Sequence, residues 1–242
     1  MDKHVLVFIA GLHRSGTSML HDWLAAHPDV SGFHNTGAPR NEWQHLQTVY
    51  LPASSLGGPG RFGFDPRAHL TEDDANPEKA EKLFWEWSQY WDLSKPVLVE
   101  KSPPNLLRTR FLRALFPNCK IIVIARHPIA VAYSTRRNWG VPIYQSLRRW
   151  CLCHEVFAHD SWPTGDSQWL HILAYEQFVD DAEHEIAVDD LLQFLNLPHF
   201  KSEMAIRSDT NQRFFDAWHA DKHDYPWLES RVNKFGYSLE VT

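Results

Sequence analysis

Cysteine is scarce. The three residues, at 119, 151 and 153, leave one thiol over in any pairing, and the close pair is poorly spaced for a bridge. A disulfide-built module is excluded, and a reducing, cytoplasmic setting is expected. Long apolar runs are also lacking. The stretch Val5-Leu-Val-Phe-Ile-Ala10 is too short to cross a bilayer and opens into a Gly-rich loop instead of a small-residue cleavage site. Nor is positive charge in excess. With 24 Lys and Arg against 30 Asp and Glu, the net charge of −6 argues against a nucleic-acid or membrane-surface binder. Any anion site must therefore be assembled locally. No repeat, low-complexity tract or linker divides the chain, so one domain over residues 1–242 is expected.

What is present is alternation. Apolar, β-rich runs at residues 5–10, 97–99, 120–125 and 169–174 are of the kind that strands buried on both faces require. Helical periodicity marks residues 17–26, 105–116, 129–138, 143–160 and 189–195. The expected class is α/β, a P-loop-type parallel sheet flanked by helices on both faces. Residues 31–75 hold most of the glycines and many prolines, and read as an irregular insertion on the acceptor side. Residues 208–242, aromatic and charged without clean periodicity, read as a C-terminal lid.

Two stretches carry chemistry. Gly11-Leu-His-Arg-Ser-Gly-Thr-Ser18 lies between a strand and a helix, where glycines let the backbone wrap an anion and free N–H groups point at it. Arg14, Ser15, Gly16, Thr17 and Ser18 are the candidate ligands. A nucleotide-triphosphatase loop would place Lys where Thr17 stands, so Arg14 supplies the charge instead. The second stretch, Ile124-Ala-Arg126-His-Pro-Ile-Ala-Val-Ala-Tyr-Ser134, again joins a strand to a helix. A magnesium-dependent phosphotransferase wants an acid there; Arg126 favours a second phosphate without a metal, with Ser134 and Arg136 or Arg137 converging on it.

A P-loop with Arg in place of Lys, followed by R-x₇-S after a later strand, resembles the sulfotransferases that use 3′-phosphoadenosine-5′-phosphosulfate (PAPS), especially their tyrosylprotein, carbohydrate and related bacterial branches. The block Glu100-Lys-Ser-Pro-Pro-Asn105, the element Ala174-Tyr-Glu-Gln-Phe178 and the pair Asn211 and Trp218 extend the resemblance. It implies a sulfotransferase fold, PAPS as co-substrate without a metal, and a hydroxyl-bearing acceptor such as a sugar or small molecule. It also implies that Arg14 to Ser18 bind the 5′-phosphosulfate, that Arg126 and Ser134 bind the 3′-phosphate, and that Tyr175 and Asn211 hold the nucleotide.

Charge building on the leaving phosphate needs fixed cations, for which Arg14 and Lys101 are the candidates. A hydroxyl acceptor also needs a base. Counting from His27-Pro-Asp-Val30, the Glu-Glu pair of the tyrosylprotein branch falls on His34-Asn35, a departure that makes His34 the first candidate, ahead of Glu42, His45 and His13. Rings of Trp85, Trp87 and Trp91 are expected on a helix that packs on the sheet, with some reaching the cleft to stack on a sugar. Cys151, Cys153 and His154 lack metal-site spacing, and Leu147, Trp150, Cys151 and His154 read as a buried helix stripe. His219 and His223 read as a hydrated helix face. Two rivals stand beside the sulfotransferase: a P-loop kinase of small metabolites, and a nucleotide-binding protein without chemistry.

Overall fold

The structure is a computed structural model that describes residues 3–161 and 167–241. Its centre is a five-stranded sheet of β1 (Val5–Gly11), β2 (Val30–Ser31), β3 (Val97–Lys101), β4 (Lys120–Ala125) and β5 (Leu170–Ala174), in the order β2-β3-β1-β4-β5. All four pairings are parallel. Side chains alternate across the sheet, so Leu6, Phe8 and Ala10 of β1 enter one core while Val7 and Ile9 enter the other. Phe8 and Ile9 are wholly buried on opposite faces, each contributing about 1.5–3 kcal/mol on burial. The four strands read from the sequence are present. The two-residue β2 is not legible as an apolar run.

One face is covered by α1 (Thr17–Ala25), α6 (Tyr175–Val179) and α7 (His184–Leu195), whose Leu20, Trp23, Phe178 and Leu191 fill that core. The other takes α2 (Pro77–Ser88), α3 (Thr109–Leu115), α4 (Pro128–Trp139) and α5 (Ile143–Ser161). The helix expected over residues 105–116 is in fact split. Pro103–Leu107 form a 3₁₀ turn, and Arg108 (φ −136°) breaks the path before α3. The buried Arg108 guanidinium reaches sideways to donate to the Leu51 carbonyl at 2.9 Å, a tertiary demand that local periodicity does not reveal.

Between β2 and α2 lie only 3₁₀ turns and loops, as the composition suggested. They are pinned by Trp43, which stacks on Phe33 at 3.4 Å and meets Trp87 and Trp91 at 5.2 and 4.2 Å. Trp87 and Trp91 are thus core, and Trp85 is 67% exposed on the outer face of α2. None of the three lines the cleft described below, which corrects the expected stacking role.

The stripe on α5 is buried as read, with His154 Nδ1 2.7 Å from the Trp150 carbonyl. The tail folds back as α8 (Gln212–Asp221) and α9 (Pro226–Val232) against α4 and α5. Because α8 ends at Asp221, His219 and His223 do not share a helix face. Instead His223 stacks on Tyr225 at 5.5 Å. Among the described residues no helix is long and apolar enough to cross a membrane.

Candidate active site

Four strands deliver the site at their C-terminal ends, the edge at which parallel sheets bind ligands. Gly11 closes β1 and starts the loop, Lys101 closes β3, and Arg126 and Tyr175 each follow a strand by one residue. The loop is bent into shape by left-handed backbone at Arg14 (φ 77°) and Gly16 (φ 104°). A Cβ at Gly16 would stand 2.6 Å from Tyr175 Cδ2, so glycine is required there by both angle and space. Ser15 Oγ donates to the Leu12 carbonyl at 2.7 Å and closes the turn. No side chain caps α1, which leaves its first N–H groups facing the cleft.

The two stretches read separately from the sequence meet here. Arg14 Nε donates to Ser134 Oγ at 2.8 Å, although 120 residues separate them. Arg126 Nη1 donates to the Arg14 carbonyl at 3.1 Å, while its Nε and Nη2 both donate to Asn211 Oδ1 at 2.9 and 2.7 Å. Its guanidinium lies 4.1 Å from the centroid of the Tyr175 ring. Glu176 anchors the arrangement, accepting from Asn211 Nδ2 at 2.7 Å, from His127 N at 2.9 Å and from the Tyr237 hydroxyl at 3.2 Å. Sequence reasoning passed over Glu176 as a site residue even though it is the second residue of the Tyr-Glu element.

The cleft has a volume of about 260 Å³. One wall is made by Gly16, Thr17, Ser18, Arg126, Ser134, Tyr175, Thr210 and Arg213, with the hydroxyls of Tyr175 and Thr210 hydrogen-bonded at 2.6 Å. The opposite wall is His13, Arg40, Glu42, Pro103 and Trp139, and Arg14 stands between. Positive charge is crowded around Arg14: burial lowers its pKa, and Arg40, Arg126, Arg137 and Arg213 lower it further. Arg14, Arg40, Arg126 and Arg213 line the cleft, a local concentration of positive charge in a chain of net charge −6.

On the opposite wall Lys101 is 1% exposed, donating from Nζ to the Arg40 carbonyl at 3.0 Å and standing 3.5 Å from Glu42 Oε1. Burial lowers its pKa, and Glu42 and Glu100 act against that fall. Glu42 Oε2 accepts from Gln44 and lies 3.9 Å from His13 Nε2. His13 is held well below the ordinary histidine range, first by burial and then by Arg149, Lys101 and Arg40. It is a neutral ring edge-on to Phe62 and Trp139.

His34 is elsewhere. It is exposed, with its ring 5.7 Å from that of His21, and is not among the residues lining the cleft. His45 is half-buried near Glu42 and also outside the lining. Of the four bases considered, the fold brings Glu42 and His13 to the cleft. Arg137, read as a third phosphate ligand, is exposed on the last turn of α4 within electrostatic reach of Arg14.

Comparison with known proteins decides between the families that share such a sheet. The model of the sulfotransferase family matches residues 7–202, which take in both loops, Glu42, Lys101 and Tyr175. The chain belongs to the sulfotransferase family. This member of the family is 25% identical over 206 residues to the protein-tyrosine sulfotransferase of Drosophila melanogaster, covering 80% of the chain and 38% of that protein. It is 28% identical over 142 residues to nodulation protein NoeE of Sinorhizobium fredii, covering 57% of the chain and 32% of that protein. It thus spans well under half the length of these relatives. In fold it resembles the sulfotransferase domain from the Synechococcus PCC 7002 olefin synthase, with a TM-score of 0.59 at 19% identity over 98% of the chain and 96% of that domain. The sulfotransferase domain from the curacin biosynthetic pathway gives 0.55 at 18% identity over 97% and 98%.

Proposed function

We propose that this sulfotransferase moves the sulfuryl group of PAPS to a hydroxyl acceptor. The observation that carries the reading is the contact of Arg14 with Ser134, which joins the two stretches into one cleft where Arg14, Arg126 and Arg213 call for a ligand charged at both ends. The fit is chemical as well as electrostatic. The cradle at Gly16 admits backbone and no side chain, the uncapped start of α1 offers N–H donors, and Thr17 and Ser18 add hydroxyls. In this reading Arg14 and residues 15–18 hold the 5′-phosphosulfate, while Arg126, Ser134 and Arg137 hold the 3′-phosphate. Tyr175 and Asn211 wall the nucleotide.

The donor supplies an activated sulfur that is already bonded to a good leaving group. Glu42 takes the proton of the acceptor hydroxyl as the acceptor oxygen bonds to sulfur and the bond from sulfur to the 5′-phosphate oxygen breaks; the electron pair stays on that phosphate, against Arg14 and the loop N–H groups. Glu42 suits this step better than its neighbour His13. A buried carboxylate that gains a proton becomes neutral, whereas a buried imidazole would become a cation among Arg40, Lys101 and Arg149. Lys101 is a positioning residue that aims Glu42, its Nζ 3.5 Å from Glu42 Oε1. The arrangement also bears on the kinase reading. A magnesium-dependent phosphotransferase wants an acid after β4, and Arg126 stands there.

The test is transfer of labelled sulfate from PAPS to a panel of hydroxyl acceptors, in EDTA, beside the same panel with ATP and magnesium. Sulfated product formed in EDTA and no phosphorylated product is expected. Phosphorylation with ATP, or PAPS-site binding without transfer to any acceptor, would favour the kinase or the non-catalytic reading.

A further inference from the structure

The cations on the Glu42 wall exceed what a nucleotide donor explains. Arg40 is exposed where it lines the cleft, and its guanidinium, 5.6 Å from the centroid of Trp139, has no hydrogen-bond or ion-pair partner among the described residues. The backbone that aims it is strained. Arg40 (φ 55°) and Asn41 (φ 49°) are both left-handed, which costs about 1–3 kcal/mol apiece and persists only where surroundings enforce it. Here Lys101 grips the Arg40 carbonyl, and Asn41 Oδ1 accepts from Thr36 N and Oγ1 at 3.1 and 3.0 Å. Behind His13, Arg149 is fully buried with none of its guanidinium nitrogens hydrogen-bonded among the described residues, its Cζ 5.7 Å from the Phe62 ring that His13 also touches. Glu42 is the one carboxylate among the residues lining the cleft, and Lys101 already answers it at 3.5 Å.

We infer that the acceptor is itself an anion: a hydroxyl compound bearing a carboxylate, which the Arg40 fork grips beside Trp139 while its hydroxyl reaches Glu42. The inference rests on the sulfotransferase reading and adds the acceptor's class to it. A planar guanidinium stacked near an indole matches a planar carboxylate in two parallel hydrogen bonds, and the unanswered charge of Arg149 favours the same sign. Transfer proceeds as above, because the carboxylate binds and takes no part in bond making.

The experiment is calorimetry on the full chain saturated with 3′-phosphoadenosine-5′-phosphate, titrated with matched acids and amides: 4-hydroxyphenylacetate and its amide, glucuronate and glucuronamide, glycolate and glycolamide. At least one acid is expected to bind about tenfold or more tighter than its amide, as a charge-assisted pair allows. Arg40→Gln should bring that acid to its amide's level, and Arg40→Lys should keep part of the preference. Should Arg40→Gln not fold, added salt serves instead, weakening the acid's binding and leaving the amide's unchanged. The inference is overturned if no acid outbinds its amide, or if the preference survives in Arg40→Gln. It is overturned too if Arg40→Gln loses nucleotide affinity in step, which would assign Arg40 to the donor. Failure of the wild-type chain to bind the nucleotide at all would instead remove the sulfotransferase reading beneath it.

Discussion

On the Arg126 side of the cleft, Arg126 and Tyr175 follow strands by one residue and Ser134 sits on a helix; hydrogen bonds tie Ser134 to Arg14, Arg126 to Asn211 and through it to Glu176, and Tyr175 to Thr210. On the Glu42 side, Arg40 and Glu42 come from a segment of 3₁₀ turns whose course depends on two left-handed residues, and what ties them is a buried lysine. The first wall is held by regular structure and reads in sequence as fixed spacings from strand ends. The second is held by tertiary contacts and has no spacing to read. On the proposed reading, anion binding belongs to the fold, while proton removal and acceptor choice belong to a loop that can vary without disturbing the sheet.

The sharpest way to break this division is Glu42→Gln. Loss of a positioned base lowers kcat by about 10²–10⁴-fold, and on this account the affinity for 3′-phosphoadenosine-5′-phosphate stays at the wild-type value. A parallel loss of nucleotide affinity in calorimetry would show the two walls to be one unit.

A smaller effect concerns the shared floor. Glu100, fully buried on β3 beside Lys101, is pushed up to about 7, chiefly by burial, while its hydrogen bonds from Ser102 and Asn105 oppose the rise. Its folded pKa lies above the ordinary value of 4.5, so the native state holds its proton in a window where the unfolded chain has lost it. That contribution is complete below about 4.5 and is lost as pH rises to about 7. His127 and His154, buried and pushed down to about 4, act in the opposite sense and reduce stability as pH falls from 6.5. Glu100→Gln isolates the carboxyl: its stability relative to wild type should rise by about 1–3 kcal/mol between pH 5 and 8, on the scale of 1.4 kcal/mol per pKa unit. Urea unfolding at several pH values checks it, and a difference independent of pH would contradict the assignment.

The smallest effect is expected at His34. Exposed and outside the cleft, its replacement in His34→Ala should leave kcat/KM within about twofold of wild type, as for ordinary surface changes. A loss of a hundredfold would move the base from Glu42 to His34 and reverse the comparison of the walls.

His34 also shows where sequence reading stops. It was reached by counting along the chain from His27, and counting fails in a segment where Asn35, Gly37, Arg40 and Asn41 each take positive φ, since every such residue redirects the next side chains. Glu42 is within the same stretch, but its burial against Lys101 is a contact between residues 59 apart that no local pattern encodes. Arg126 and Ser134, by contrast, were legible as a pair because a strand end and a two-turn helical offset fix their directions. The tryptophans divide similarly. Trp87 follows the face of α2 into the core and Trp91 enters it just after the helix ends, whereas Trp139, which lines the cleft, sits at the end of α4, where sequence gave no reason to single it out. Helix 105–116 failed as a unit because Arg108 answers the Leu51 carbonyl across the fold.

The central claim is that the cleft recognises a nucleotide by its 3′-phosphate as well as its 5′ end. Calorimetry of 3′-phosphoadenosine-5′-phosphate against 5′-AMP tests it most directly, with wild type beside Arg126→Ala. The account predicts that the 3′-phosphorylated ligand binds tighter by about 10–100-fold, the scale of charge-assisted hydrogen bonds, and that Arg126→Ala abolishes the difference. Equal binding of the two ligands by the wild-type protein would contradict it.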